Sequence, residues 1–196
     1  MPIRLQLATA EDVTDLIALR AAVRDRLDAQ YGNGFWSGSL PTEKSALFAM
    51  RHSAVYIARR RNQLIASLTL GTKKPWAIDR AYFAASARPL YLTSMAVHPD
   101  LQRTGVGAQC VAEVRRLAPA WPADAIRLDA WDAPVGAGEF YRKCGFTEVG
   151  RATYRGAPLI YFEMLLSGNS ARPECGEATE RCCRNLTSPG PAVRAL

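Results

Sequence analysis

Gln102-Arg103-Thr104-Gly105-Val106-Gly107 separates an apolar run ending at Val97-His98-Pro99 from an amphipathic stretch that begins at Ala108. The order strand, glycine-rich turn, helix predicts an α/β fold with a ligand at the turn. Glycine lets the backbone approach a ligand closely and adopt positive φ, so successive N–H groups can converge on an anion at a helix N-terminus. A pyrophosphate is the natural occupant. Taken alone, the same turn serves equally well to cap and pack a helix.

Outward from this turn, Leu90 to Val97 reads as a central strand. The helix after the turn presents Ala108, Val111, Val114 and Leu117 as its apolar face, and Pro119 and Pro122 are expected to stop it. Ile126 to Trp131 follows as a strand parallel to the central one, the helix serving as crossover. A ligand then belongs at the strands' C-terminal ends.

Upstream, Thr9 and Asp12 cap a helix over about residues 11–30, with Val13, Leu16, Ile17, Leu19 and Val23 at helical spacing. Residues 31–38 break it, and Thr42-Glu43-Lys44-Ser45 opens a second helix to about His52. Residues 54–58 and 64–70 form a hairpin whose turn holds Arg59-Arg60-Arg61, expected to be solvated. Residues 72–89 have no clear period, and a connection that long is usually functional. Phe146 to Tyr154 and Leu159 to Leu165 supply two closing strands around an Arg155-Gly156-Ala157-Pro158 turn.

A second block, Phe140-Tyr141-Arg142-Lys143-Cys144-Gly145-Phe146, follows the Ile126 to Trp131 strand. With the glycine turn before it and Ile3 to Asp12 as a first strand and helix entry, the chain resembles the GCN5-related N-acetyltransferases over about residues 2–166. The resemblance implies a mixed central β-sheet of about six to seven strands flanked by about four helices, spanning residues 1–167. It also implies acetyl-CoA as acyl donor. The thioester and pantetheine would lie along the backbone of Met95, Ala96 and Val97; the pyrophosphate would meet Gln102, Arg103, Thr104, Gly105, Val106, Gly107 and Ala108, with Lys143 beside them.

By the same resemblance Tyr141 is the candidate acid, donating to the departing sulfur; the alternative is a core tyrosine packed against Phe140 or Phe146. Family members often carry a glutamate on the central strand, where this chain has Tyr91, Thr93 and Ser94. Asp132 and Asp79 are the remaining candidate bases, beside a water-relayed proton path. Glu139 four residues before Lys143 reads instead as a helical ion pair. Many relatives place an asparagine against the pantetheine arm, and Asp132 to Gly138 contains none. Tyr31, Trp36, Trp76 and Asp79 are expected to line an acceptor site, with Phe35, Tyr82 and Phe83 extending an aromatic wall for an apolar or cationic amine.

The 196 residues, 48% of them apolar, suit one compact domain, and the net charge of +7 would steer a polyanionic cofactor. No aromatic-interleaved basic stripe points to nucleic acid, and no apolar run of about 20 residues points to a membrane. A cytoplasmic monomer or homodimer is expected. Cys110, Cys144, Cys175, Cys182 and Cys183 lack the spacing of a zinc site, so no metal is expected, and Cys110 and Cys144 read as packing residues. Residues 168–196, rich in Gly, Pro, Ser, Arg and Glu, are expected to be disordered. The Asn185-Leu186-Thr187 sequon there reads as chance, since no secretory signal precedes it. The reaction expected is acetyl transfer to a primary amine; the alternative is a binding module that senses acyl-CoA without turnover.

Overall fold

The computed structural model describes residues 2–32, 40–134 and 136–166. Trp36, Phe35, Val135, the three C-terminal cysteines, the sequon and the predicted tail lie outside them. The chain forms one seven-stranded sheet in the order β1-β2-β3-β4-β5-β7-β6. The strands are β1 (Gln6–Leu7), β2 (Ala54–Arg60), β3 (Gln63–Gly71), β4 (Pro89–Val97), β5 (Ala125–Trp131), β6 (Thr147–Tyr154) and β7 (Ala157–Leu165). The helices are α1 (Val13–Tyr31), α2 (Glu43–His52), α3 (Val106–Leu117) and α4 (Gly138–Lys143).

Both predicted N-termini carry their caps. The Thr9 hydroxyl donates to the Asp12 carboxylate at 3.1 Å, and the Thr42 hydroxyl accepts from Ser45 N–H at 3.2 Å. Arg59 departs from the expectation of a solvated turn. Its guanidinium reaches Asp12 and Asp15 at 2.7 and 2.6 Å, so it ties β2 to the start of α1. The helix after the glycine turn buries Val111 and Val114 and packs Leu117 on the core as expected, but Ala108 is exposed and Val106 is buried instead. Pro119 is held in a further 3-10 turn over Ala118–Ala120 rather than ending helical structure outright. The closing hairpin turns on Arg155 and Gly156 alone, both at positive φ, and Ala157 and Pro158 already belong to β7.

Leu90, Leu92, Ile126, Leu128 and Ala130 pack with α3 in the main core, on one face of the sheet. The opposite face is shared. Leu16, Leu19 and Val23 of α1 cover Ile57 and Ala96, while Ile78 covers Tyr91, Leu159 and Tyr161. Residues 72–88 are therefore a packed wall over β5 and β7. A buried ion pair pins it: Arg127 Nε donates to Glu163 at 2.8 Å, with 4% and 5% of the two side chains exposed. Arg127 also donates to the Ala84 carbonyl at 2.6 Å, and Glu163 accepts from Ala84 N–H.

Breaking one member of a buried pair strands the other charge. Glu163→Gln should therefore cost about 3 kcal/mol of stability, read as a lower urea midpoint, and free the wall from β5 and β7.

Candidate functional site

β4 and β5 run parallel but pair only from Pro89 with Ala125 to Tyr91 with Arg127. Beyond those residues the strands part, and among the described residues no strand pairs with the β4 edge that faced β5. A bulge reinforces the opening. Against β3 the register steps from Thr69 opposite Thr93 to Ser67 opposite Ala96, and Ser94 takes φ 53°. The extra residue reverses side-chain alternation. Before it Leu90 and Leu92 face the α3 core; after it Met95 and Val97 do, and Ala96 turns to α1. Arg20 of α1 donates to the Ser94 carbonyl, bracing the bulge, and burial pushes its guanidinium pKa down to about 10, still charged at neutral pH.

The glycine turn sits at the mouth of this opening. Gly105 takes the N-cap of α3 at φ 88°, and a Cβ there would meet no atom within 4 Å. Arg103 shares the left-handed region at φ 60°. Gly107 has a different reason to be glycine: a Cβ would lie 3.1 Å from the Phe140 ring, so its absence lets α4 close on α3. The first α3 amide bonded to a backbone carbonyl is Gln109, to Gly105 at 3.1 Å. Among the described residues, the amides of Arg103 to Ala108 enter no backbone turn bond, as the first turn of a helix dictates. Two side chains of the motif brace the turn instead of facing outward: Gln102 donates to the Val97 carbonyl at 3.2 Å and Thr104 to the Leu101 carbonyl at 2.7 Å. His98 helps shape the approach to the turn: its amide donates to the Ile65 carbonyl and its carbonyl accepts from Leu101 N–H, both at 2.9 Å.

Tyr141 is buried, edge-on to Phe140 and Phe146, with its hydroxyl 4.0 Å from the Met95 Sδ on β4. Its ring is thus a core ring while its hydroxyl faces the parted strand. Burial, with Asp129 and Cys144 adding to it, raises the phenol pKa, so the group stays protonated at neutral pH. Asp132, just past β5, is bound to Arg151 of β6 at 2.6 Å. Lys143 pairs with Glu139 at 3.5 Å, the i,i+4 pair expected. Asp79 is exposed and caps Ala81 N–H at 3.0 Å; Tyr31 ends α1; Trp76 is 86% exposed.

Asp129 of β5 is a site residue that no sequence motif marks. Leu128 and Ala130 face the α3 core, so Asp129 faces the opposite side, beside the wall and opposite Tyr161. Burial raises its carboxyl pKa, and its charge is felt at Tyr141 across the gap between β4 and β5. An acid alternating with buried apolar residues in a predicted strand was the available signal. The two cysteines expected to pack do so: Cys110 is fully buried with its thiol pushed up to about 11, and Cys144 is half-buried.

A family model described as an acetyltransferase (GNAT) domain matches residues 51–148, half of the chain, and spans the parted strands, the cradle and α4. The chain is a GNAT acetyltransferase family member. A GCN5-related N-acetyltransferase of Rhodopseudomonas palustris superposes with TM-score 0.62 at 20% identity, covering 85% of this chain and 97% of the other. The Salmonella typhimurium protein yncA, solved with its cofactor acetyl-CoA, gives 0.59 at 12% identity over 89% and 100%. A Bacillus subtilis acetyltransferase in complex with CoA gives 0.53 at 18% over 84% and 99%. At these identities the likeness carries the GNAT fold. No curated protein matches the chain in sequence. Among the described residues, no helix of this GNAT chain is long and apolar enough to cross a membrane.

Proposed function

We propose that this GNAT domain transfers an acetyl group from acetyl-CoA to a primary amine by direct attack on the thioester. The parting of β4 from β5 carries the reading, because it joins an unpaired strand edge, an amide cradle, a protonated phenol and a half-desolvated carboxylate in one cleft. The residues fit the donor. Open space at Gly105 and unbonded amides at a helix N-terminus suit a pyrophosphate, with Arg103 adding charge. Amides of Met95 to Val97 on the bulged edge suit a thioester carbonyl.

Acetyl-CoA supplies an activated acyl group with a thiolate leaving group. An aliphatic amine with a pKa of about 10.4 is mostly protonated near neutrality and must lose a proton before attack. Asp129 suits that task better than Asp132, which Arg151 already neutralises. Burial raises the carboxyl pKa of Asp129, which lies on the wall side, across the cleft from the phenol. Asp129 takes the proton that the ammonium sheds before attack; the C–N bond then forms and the C–S bond breaks, Tyr141 gives its proton to sulfur, and the second nitrogen proton returns to the Tyr141 oxygen through solvent.

Tyr141→Phe keeps the ring packing and removes the donor. Turnover should fall about tenfold, below the usual range for proton transfer because a thiolate leaves readily unaided. The loss should shrink as pH falls and solvent protonates the sulfur; full turnover at every pH would remove Tyr141 from the role. Calorimetric titration with acetyl-CoA, paired with thiol release over a panel of amines, tests the whole proposal. Binding with release supports the enzyme, binding without any release turns the reading to an acyl-CoA sensor, and no binding overturns it.

A further inference from the structure

Trp76 stands almost fully in solvent, an unusual place for the largest side chain. It is not alone there. With Thr72, Lys73, Lys74 and Arg80 it lines a depression of about 370 Å³ in the wall segment. Among the described residues that line it, none is a carboxylate partner for the three cations. Asp79, next in the chain to Arg80, has one carboxylate oxygen on the Ala81 amide. Lys74 donates to the Pro75 and Ile78 carbonyls at 2.9 and 2.7 Å, which shapes the loop and leaves its charge uncancelled.

The segment that forms this depression is tied to the strand pair that carries Asp129. Tyr161 lies opposite Asp129 in the β5 and β7 pairing, and its hydroxyl donates to the carbonyl of Ala77, the residue after Trp76, at 2.5 Å. Ile78 packs on Tyr91 and Tyr161. The wall thus carries the indole and the cations to the side of the sheet that Asp129 faces.

We infer that this depression selects an amine acceptor bearing an anionic group, a carboxylate or a phosphate, next to a flat apolar body. The anion sits between Lys73 and Arg80, and the flat body lies on the Trp76 indole. The inference rests on the amine acetyltransferase reading and narrows its acceptor. It reverses the expectation of an apolar or cationic amine at Trp76, since the indole is surrounded by positive charge.

The test uses acetyl-CoA with two matched amine pairs: phenylalanine against phenylalaninamide, and tyramine O-phosphate against tyramine. The acidic member of at least one pair should have a KM about tenfold lower than its neutral partner, the worth of one charge-assisted contact. Which pair discriminates tells carboxylate from phosphate. The preference should shrink with added salt. Joint Lys73→Glu and Arg80→Glu substitution should erase it without moving the KM for acetyl-CoA, and Trp76→Ala should raise KM for all four amines. Equal KM values within both pairs would overturn the inference.

A second readout does not require turnover. N-acetylphenylalanine or tyramine O-phosphate should quench tryptophan fluorescence saturably in the wild type, and N-acetylphenylalaninamide should not. Trp76→Phe should abolish the quenching. Quenching by neither acid, or equal quenching by the amide, overturns the site. Failure to bind acetyl-CoA in calorimetry would instead strike the enzymatic reading alone.

Discussion

Gly105→Glu is expected to weaken acetyl-CoA binding by about a hundredfold or more, equivalent to about 2.8 kcal/mol. Two effects combine at this position. Gly105 holds φ 88°, where an L-residue costs roughly 1–2 kcal/mol. A Cβ there would meet no atom within 4 Å, so a glutamate fits without a clash and sets a carboxylate at the N-cap of α3, beside the cradle amides. That charge would occupy the anion's place and repel it. Gly105→Ala separates the two contributions, since it keeps the strain and omits the charge; it should lower Tm while leaving most of the affinity. Gly107→Ala acts by a third route: its Cβ would press on Phe140 at 3.1 Å and wedge α4 from α3. Calorimetry on all three variants checks this, and full acetyl-CoA affinity in Gly105→Glu would remove the cradle from the donor site.

Asp129→Asn should lower kcat by about a hundredfold to a thousandfold while leaving acetyl-CoA affinity intact. The change preserves shape and deletes the proton acceptor. In the wild type, the rate should fall as pH drops through the raised pKa of Asp129, because protonation removes the base. The acidic limb should vanish in the variant. Stability should move the other way. A carboxyl whose folded pKa is raised above its unfolded value stabilises the fold below the unfolded pKa and loses that contribution as pH rises through the folded one. At neutral pH the ionised Asp129 is held against desolvation, so the asparagine should raise Tm. Lower activity with higher Tm distinguishes a strained functional group from a structural one, whose loss would lower both. Unchanged kcat at all pH values would return the search to a water relay.

Local chemistry made most of the architecture readable. Thr9 and Thr42 announce their helices through hydrogen bonds that span three residues, and the glycine turn announces α3 through conformations that glycine favours. Hydrophobic alternation placed the strands to within a few residues. Ala108 lies outside the buried face of α3 because its small side chain suits either side of a helix, and packing against β4 and β5 buries Val106 in its stead. Asp129 was missed for a stronger reason. Its basicity comes from desolvation beneath a wall that Arg127 and Glu163 anchor, and from a gap that exists because pairing stops at Tyr91; none of these is a property of residues 126–131 alone. Asp132 looked equally eligible in sequence, and its capture by Arg151 is visible only once β6 has folded back beside β5. Trp76, Tyr82 and Phe83 suggest an apolar or cationic amine by residue type alone, and the grouping of Lys73, Lys74 and Arg80 around Trp76 arises only in the folded wall.

The brief contact between β4 and β5 has a mechanical side. The joints on either side of it, β3 with β4 and β5 with β7, are antiparallel ladders of five and seven residue pairs, whereas this one holds three. The molecule is accordingly two stiff ribbons, β1 to β4 and β5 to β7, fastened at one end like the blades of shears. A donor lodged between them acts as a splint across both blades, so its arrival should quiet slow opening of the whole sheet and show as amide-exchange protection far from any atom it touches.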